Sequence, residues 1–585
     1  MDVNRIITEH LDIWSAATER KSGAGRGNGG VVSLHGIKKL RALILELAIR
    51  GKLVEQDEKE GNGAELLAKC ARAKNSSIKE KAFKKQNVGS KLNSNDVLFE
   101  VPNNWCWARL GDIGFIYNGN SVSSRDKSEK YGNANGLPFI ATRNVGYGFE
   151  PINYNVDTWI PEGEPKFKIA GPNTPLICSE GGSAGRKCGL TDQAVCFGNK
   201  LFACQFYDEF HASFLLTIYQ SPSFFAEFSR HMTGIIGGIS LAKFLRLAVP
   251  IPPIAEQIRI VAKVNQLMRL CDALEAQTED GLKEHQALVE TCLATLTKSQ
   301  NSQDLTQNWA RIEAHFDVLF TTEESIASLE AAIIELGVTG LLVPQRKTDE
   351  PAALLLKRVA QDIETYSKLN RVKPVKSALI AEHESQGTHV PSGWVQTRLS
   401  SLFRVITDGD HQAPPRSSDG IAFLTIGNIS SGKLDFDGCR RVPEDYYVGL
   451  PTYRTPELGD ILYTVVGATY GRPVLVDTEE KFCVQRHIAI LKPSNELDVE
   501  YLVWLMKSAG VYNQAREGIT GSAQPTLALK PLRNFLVLLP PRAEQERISS
   551  KIRQLHQVTA KLRNNLAMSA AAQIRLAEAV TSKMN

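Results

Sequence analysis

The chain has 585 residues, 43% of them hydrophobic, and a formal net charge of +4. That length predicts three or more folded units, and the composition is that of a globular protein. No apolar run reaches the roughly 18 residues of a membrane-spanning candidate, and a charge so close to neutral excludes a uniformly basic surface, so that any nucleic-acid role must rest on local patches.

Residues 1–35 form an N-terminal extension. Its first turns, Met1–Trp14, carry acidic residues and no continuous apolar stretch, so they do not read as a signal peptide, and a cytoplasmic location is expected. Residues 36–100 are a helical region. Ile37–Arg50 places apolar residues on a 3.6 period, and Gly51 stands where such a helix ends. The basic run Lys69, Arg72, Lys74, Lys79, Lys81, Lys84 and Lys85 reads first as a solvated helix face and second as a phosphate contact. Residues 101–253 are rich in Gly, Pro, aromatic and β-branched residues. Leu137–Ala141 is a strand candidate, and a mixed α/β domain is expected. Cys178, Cys188, Cys196 and Cys204 fall here, too loosely spaced for the tight ligand pairs of a zinc ribbon, and read as buried, reduced thiols.

Residues 254–300 predict a long helix. Ile260, Val264, Leu267, Cys271, Leu274 and Thr278 follow the 4-3-4-3 rhythm of a coiled-coil seam. A helix over Ala255–Lys298 would be about 65 Å long. The plan then recurs. Residues 301–389 are helical, with Ser325–Val338 and Gly340 repeating the first design. Residues 390–541 are a second mixed α/β domain, with strand candidates at Phe423–Ile426, Asp460–Val466 and His487–Leu491. Residues 542–585 are a second long helix whose seam is Ile548, Ile552, Leu555, Thr559, Leu562 and Leu566. Each seam could pack on its own domain; two matched seams in one chain favour packing on each other.

The recurrence extends to individual residues. Leu40–Leu47 aligns with Leu329–Leu336, Gly51 with Gly340, and Val101, Pro102 and Trp105 with Val390, Pro391 and Trp394. Phe139–Asn144 corresponds to Phe423–Asn428, Gly181, Gly185 and Arg186 to Gly467, Gly471 and Arg472, and Thr233-Gly234 to Thr520-Gly521. Pro252, Pro253, Ala255, Glu256, Gln257, Arg259 and Ile260 correspond to Pro540, Pro541, Ala543, Glu544, Gln545, Arg547 and Ile548. Such self-similarity is the strongest architectural signal in the chain. The fold class expected is α+β, with two mixed α/β heads in tandem pseudo-two-fold repeat joined by long antiparallel coiled-coil helices.

Framework positions match between the halves while polar loop positions differ. A rigid stalk carrying two unlike heads suits the reading of two separate short sites on one duplex, as dimeric DNA readers do with two chains. The DNA-contact candidates are the polar residues of these loops, of the types that meet base edges or phosphates. In the first head they are Asn120, Ser121, Arg125, Arg143, Asn144, Ser183, Arg186, Asn199, Lys200 and Lys243. In the second they are Asp408, His411, Gln412, Arg416, Asn428, Tyr470, Arg472, Gln485, Arg486, His487, Gln524 and Lys530. Neutral loop divergence is the competing account.

No catalytic residue or metal ligand is assigned. Pro-Pro occurs at 252–253, 414–415 and 540–541, never in the Asn/Asp-Pro-Pro-aromatic setting of an adenine methyltransferase. No GxxxxGK[ST] loop or HExxH motif is present. His411 beside Asp408 and Asp410 could suggest acid–base work, but a loop histidine between acids more often orders a turn.

The paired Val-Pro-x-x-Trp starts, the Gly-x₃-Gly-Arg turns and the Pro-Pro-x-Ala-Glu-Gln-x-Arg-Ile helix starts resemble those of type I restriction-modification specificity subunits. The stretches Ser22–Gly27 and Gly36–Val54 resemble the EcoA-like (type IB) branch. The resemblance implies two target-recognition domains, each reading half of a bipartite, asymmetric site in double-stranded DNA. It implies two modification subunits that methylate adenine with S-adenosylmethionine and dock near Leu40–Val54, Ala255–Leu274, Leu329–Val343 and Ala543–Leu562. It implies two restriction subunits that use ATP and magnesium, with no cofactor bound by this chain and no membrane partner. The alternatives are a coiled-coil scaffold presenting two protein-binding heads and a self-sufficient nuclease or methyltransferase.

Overall fold

A computed structural model of the chain describes residues 10–20, 32–90, 92–93, 96–132, 135–234, 237–373, 378–381, 384, 389–412, 414–521 and 524–584. The described residues fall into two compact units, one made of 10–20, 32–279 and 570–584, the other of 280–569.

The first unit opens with helix α1 (Leu11–Ala16), followed by α2 (His35–Ile49) and α3 (Gly63–Lys79). Helix α2 buries Ile37, Leu40, Ile44 and Leu47, one stripe of a 3.6-residue period. It stops before Gly51, whose φ of +68° suits glycine and where a Cβ would strike the Pro102 ring. Gly340 repeats this against Pro391, with φ +81°.

The first head contains β1 (Cys106–Arg109), β2 (Gly114–Asn118), β3 (Leu137–Ile140), β4 (Trp159–Ile160), β5 (Ile169–Ala170), β6 (Pro175–Cys178), β7 (Cys188–Leu190), β8 (Val195–Phe197) and β9 (Leu201–Phe206). Helices α4 (Ala212–Gln220) and α5 (Pro222–Arg230), strand β10 (Ala248–Ile251) and helix α6 (Ile254–Thr297) follow. The central sheet has the antiparallel order β2-β9-β6-β7. A second sheet, β4-β3-β8-β5, holds one parallel pair, β3 with β8. Strands β1 and β10 close the domain as an antiparallel pair. The four cysteines lie buried in β6, β7, β8 and β9, where burial pushes the Cys178 and Cys188 thiols up to about 12.

The second unit repeats the plan. Helices α7 (Ser302–Glu313), α8 (Phe316–Leu319), α9 (Glu323–Val338) and α10 (Ala352–Leu369) precede the head. Its strands are β11 (Val395–Arg398), β12 (Phe403–Asp408), β13 (Ile421–Leu424), β14 (Arg440–Val442), β15 (Ile461–Thr464), β16 (Pro473–Leu475), β17 (Phe482–Val484) and β18 (Ile488–Pro493). Helices α11 (Val499–Lys507) and α12 (Ala509–Glu517), strand β19 (Leu536–Leu539) and helix α13 (Arg542–Met584) complete it. The sheets are β12-β18-β15-β16, β14-β13-β17 and the pair β11-β19, with β13 and β17 parallel as β3 and β8 are.

The motifs shared by the halves are the joints between head and long helix. Buried Glu256 accepts hydrogen bonds from Trp105 Nε1 (2.9 Å), Gln56 Nε2 (2.7 Å) and Asn104 Nδ2 (3.2 Å). Glu544 accepts from Trp394 Nε1 (3.1 Å) and Gln345 Nε2 (3.2 Å). Burial holds both carboxyls above the usual range. Gln257 accepts from the His211 N–H and donates to Pro252 O; Gln545 does the same with Asp498 and Pro540. Arg259 pairs with Glu60, and Arg547 with Asp349. Glu46 accepts from Ser223 N at the start of α5, and Glu335 from Ala509 N at the start of α12.

The seam residues Ile260, Val264, Leu267 and Cys271 share the first unit's core with α2, and Arg41 of α2 pairs with Asp272 (2.7 Å) and Glu275 (2.6 Å) of α6. The last turns of α13, through Ile574, Ala577 and Val580, join that core, and Glu578 lies beside His35 and Lys39. In the second unit, a Cβ on Gly337 of α9 would press on Ile548 and Ile552, and Glu330 pairs with Arg563. Val289, Leu293 and Leu296 of α6 complete the second core. A short helix from each repeat thus lies alongside both long helices, so the seams serve a three-helix arrangement within each unit.

Part of the N-terminal extension has a counterpart. His10, φ −124° and ψ 23°, precedes α1 as His315, φ −126° and ψ 20°, precedes α8. Trp14 and Leu319 occupy the matching buried positions. The sequence match is obscured because the connection from Ala16 to His35 is far longer than that from Leu319 to Glu323, which breaks any fixed offset.

Candidate nucleic-acid interface

Antiparallel register gathers distant segments at one edge of each central sheet. Strand β9 pairs Leu201 with Cys178 and Phe202 with Asn118, and β6 pairs Ile177 with Cys188. The end of β2, the end of β6, the start of β7 and the start of β9 therefore meet. Gly198 N donates to Ile140 O (2.9 Å), bringing the turn after β3 to the same edge. In the second head, β18 pairs Ala489 with Asp408 and Ile488 with Thr464, while β15 pairs Tyr463 with Pro473. Gly119 and Gly409 sit at the matching crossings, where a Cβ would collide with Phe197 O and Val484 O.

In the first head this edge carries Asn120, Arg143, Ser183, Arg186, Asn199 and Lys200. Asn120 bridges to Gly198, and its Oδ1 accepts from Lys168 N (2.9 Å). The exposed Arg143 lies 3.3 Å from Asp157. Half-buried Ser183 shapes the turn, its carbonyl accepting from Arg186 N (3.1 Å). Arg186 is exposed, its guanidinium 5.1 Å from the Phe225 ring. Lys200 pairs with Glu180 at 3.1 Å, and Lys243 Nζ donates to His231 O (3.4 Å). Asn118, Glu180, Asn199, Thr233, Gly238 and Ser240 line an open groove of about 680 Å³ here. Ser121 and Arg125 are exposed beyond β2, where Arg125 pairs with Glu129 (2.9 Å) in the short helix Ser124–Glu129.

In the second head, Asp410 bridges to Gln485 as Asn120 does to Gly198. His411 Nε2 lies 3.0 Å from Asp408 Oδ2, ordering the turn. Gln412 and Arg416 are exposed. Tyr470 stacks on Tyr512, centroids 5.7 Å apart and planes within 5°. Arg472 donates to Ser430 O (3.0 Å). Arg486 is exposed beside His487, and burial together with this guanidinium holds the imidazole below its ordinary pKa. Gln524 is exposed, its carbonyl accepting from Thr526 Oγ1 (3.1 Å), and Lys530 is exposed on Leu529–Arg533.

One candidate, Asn144, is corrected, and its counterpart Asn428 is engaged in the same kind of turn. Asn144 is buried, and its Oδ1 accepts from Ala141 N (3.0 Å); Asn428 is half-buried and accepts from Thr425 N (2.9 Å) and Thr425 Oγ1 (2.8 Å). Each closes the turn after a strand, because a buried backbone N–H needs a partner, so their match across the repeats reflects the framework. In the basic run, Lys74 is half-buried and donates to Gly111 O (2.8 Å) and Asp112 (3.0 Å), while Lys69, Arg72 and Lys79 are exposed. Glu180 and Asn118 were not legible as site residues, although Glu180 directly precedes the Gly-x₃-Gly-Arg turn. Arg454, 3.8 Å from Asp410, and Tyr446, donating to Asp410 at 2.8 Å, were also missed.

Residues 102–284 and 391–568 match the family described as the type I restriction modification DNA specificity domain. The chain is 33% identical to the EcoAI specificity subunit of Escherichia coli, covering 99% of both chains. It is 33% identical to the EcoEI specificity subunit of the same organism, again over 99% of both. A crystal structure of an HsdS subunit from Thermoanaerobacter tengcongensis is similar at 18% identity, covering 83% of this chain and 97% of that one, with TM-score 0.40. The chain belongs to the family of type I restriction-modification specificity subunits. Within it, the chain falls in the EcoA-like branch. Its role is DNA sequence specificity inside a restriction-modification complex, as a non-catalytic component whose partners are DNA and other subunits of that system. Among the described residues, no helix is long and apolar enough to cross a membrane.

Proposed function

We propose that the chain reads a bipartite, asymmetric site in double-stranded DNA, one half with each sheet edge, and positions two modification subunits and two restriction subunits on it. The carrying observation is the pair of matched edges. The backbone bridges of 120 to 198 and 410 to 485 coincide, while the side chains around them differ. A shared framework with unlike polar groups is what two specificities on one scaffold require. S-adenosylmethionine serves the modification subunits, and ATP and magnesium the restriction subunits, in the cytoplasm.

For the modification subunits, the helical stretches named from the resemblance remain the docking regions. Most of their apolar stripes are spent on the chain's own cores, so contact falls on what stays open. In the second unit, Trp309, Leu341, Leu555 and Leu562 line an apolar groove of about 530 Å³, which suits an apolar anchor from such a partner.

The test is duplex binding by the chain assembled with its modification subunit, at several salt concentrations. Preference for one split sequence, with affinity falling steeply as salt rises, is expected. Binding without sequence preference would favour the protein-scaffold reading. Turnover of DNA by the chain alone would make it an enzyme. Replacing residues 101–253 should change one half-site only. Inserting one turn in α6, about 5.4 Å of helix, should change the spacer and leave both half-sites intact.

A further inference from the structure

We infer that Glu180 is a specificity-determining residue of the first head, a carboxylate that reads a base bearing an exocyclic amino group, cytosine or adenine. This rests on the reading of the sheet edge as a DNA interface.

The position is built by the backbone. Ser179 N donates to Lys200 O (2.9 Å), Gly181 N to Gly237 O (2.8 Å) and Ile239 N to Ser179 O (2.9 Å). Glu180 itself bridges to Gly238, where a Cβ would come within 3.2 Å of Glu180 Cγ. Glycine there leaves room for the acidic side chain. The second head repeats each bond: Val465 N to His487 O (3.1 Å), Gly467 N to Pro525 O (2.9 Å) and Leu527 N to Val465 O (2.8 Å). Val466 bridges to Thr526 and stands where Glu180 stands. Val466 is buried, so a carboxylate occupies this place in one head only.

A carboxylate beside phosphates is repelled, which makes it a poor backbone contact and a selective base contact. Glutamate accepts from the amino group of cytosine, and adenine offers a similar donor in the major groove. Guanine and thymine present acceptors at the corresponding positions, which a carboxylate repels. Lys200, 3.1 Å from Glu180, neutralises the charge before DNA arrives. Both side chains are partly exposed, 48% and 44%, and such a pair is weak enough to exchange partners. The groove beside them, with Asn118 and Asn199 on its wall, is open to a base edge.

The experiment uses the chain in complex with its modification subunit and a library of duplexes varied at every position of the site. Glu180→Ala should lose discrimination at one base pair of the half-site read by the first head, by about fivefold to a hundredfold, with the other half-site unchanged. Lys200→Ala should weaken binding to all sequences alike. Unaltered preferences in Glu180→Ala would overturn the inference while leaving the function standing. A uniform loss of binding in Glu180→Ala is resolved with Glu180→Gln: the same uniform loss overturns the inference, and altered preference at one position supports it. If the unaltered complex shows no sequence preference, the functional reading itself fails.

Discussion

The two heads share a backbone and differ in how they spend charge. In the first, two neutral residues hold the far end of the central sheet: Thr174, whose N–H donates to Thr191 Oγ1 (2.9 Å), and the exposed Gln205 on β9. In the second, the matching places hold Asp460 and Lys492, a buried ion pair at 2.7 Å, with Glu457 at 3.1 Å. At the opposite edge the ion pair Glu180–Lys200 of the first head is replaced in the second by Val466 and His487, with the Tyr470–Tyr512 stack nearby. One scaffold therefore tolerates polar exchange at either end of its sheet, provided that the backbone hydrogen bonds persist.

The largest effect should come from breaking the buried pair. Lys492→Met leaves Asp460 without its closest partner and should destabilise the second unit by about 3 to 5 kcal/mol. Combining Lys492→Gln with Asp460→Thr, the residues of the first head, should recover most of that loss. Hydrogen exchange of the β15 and β16 amides measures both. A double variant as unstable as the single one would show that the heads are not interchangeable there.

Next come the joints. Glu256 serves three donors and Glu544 two. Glu256→Ala should cost about 2 to 3 kcal/mol, since the buried Trp105 indole N–H and two partly buried amide donors lose a shared acceptor. Glu544→Ala should cost less. Denaturant unfolding of the two variants reports the difference, and a reversed order would contradict the donor count.

A pH series sharpens the same contrast. Burial pushes Asp460 up to about 6, against an ordinary 3.8. The folded second unit therefore holds this proton more tightly than the unfolded chain does. Stability linked to Asp460 is greatest below the ordinary value, falls as pH rises from there to about 6, and is level above it. The Thr/Gln double variant should lack this slope. A constant stability gap between it and the unaltered protein across that window would rule out the linkage.

The smallest effect belongs to the tyrosine stack. Tyr512→Ala should cost about 1 kcal/mol of packing and alter binding at the second half-site alone. Phe225→Ala, which removes the ring beneath Arg186, should alter the first half-site alone. Crossed effects in the binding assay would deny the separation of the heads.

What the sequence determined by itself was the duplication, the helix with its terminal Gly51, the two α/β heads and the long helices, because periodicity and turn chemistry are local. It also marked Trp105, Glu256 and Gln257 with their partners Trp394, Glu544 and Gln545, although their roles as buried clamps depend on residues some 150 positions apart. Tertiary structure decided the rest. It separated Asn144 and Asn428, spent on turns, from Arg186 and Arg486, which reach solvent, since both kinds are polar letters after a strand. It found Glu180, whose meaning comes from register: only the pairing of β6 with β9 sets that carboxylate beside Lys200 and the groove. It matched His10 to His315 across connections of unequal length, because backbone angles survive an insertion that erases a sequence offset.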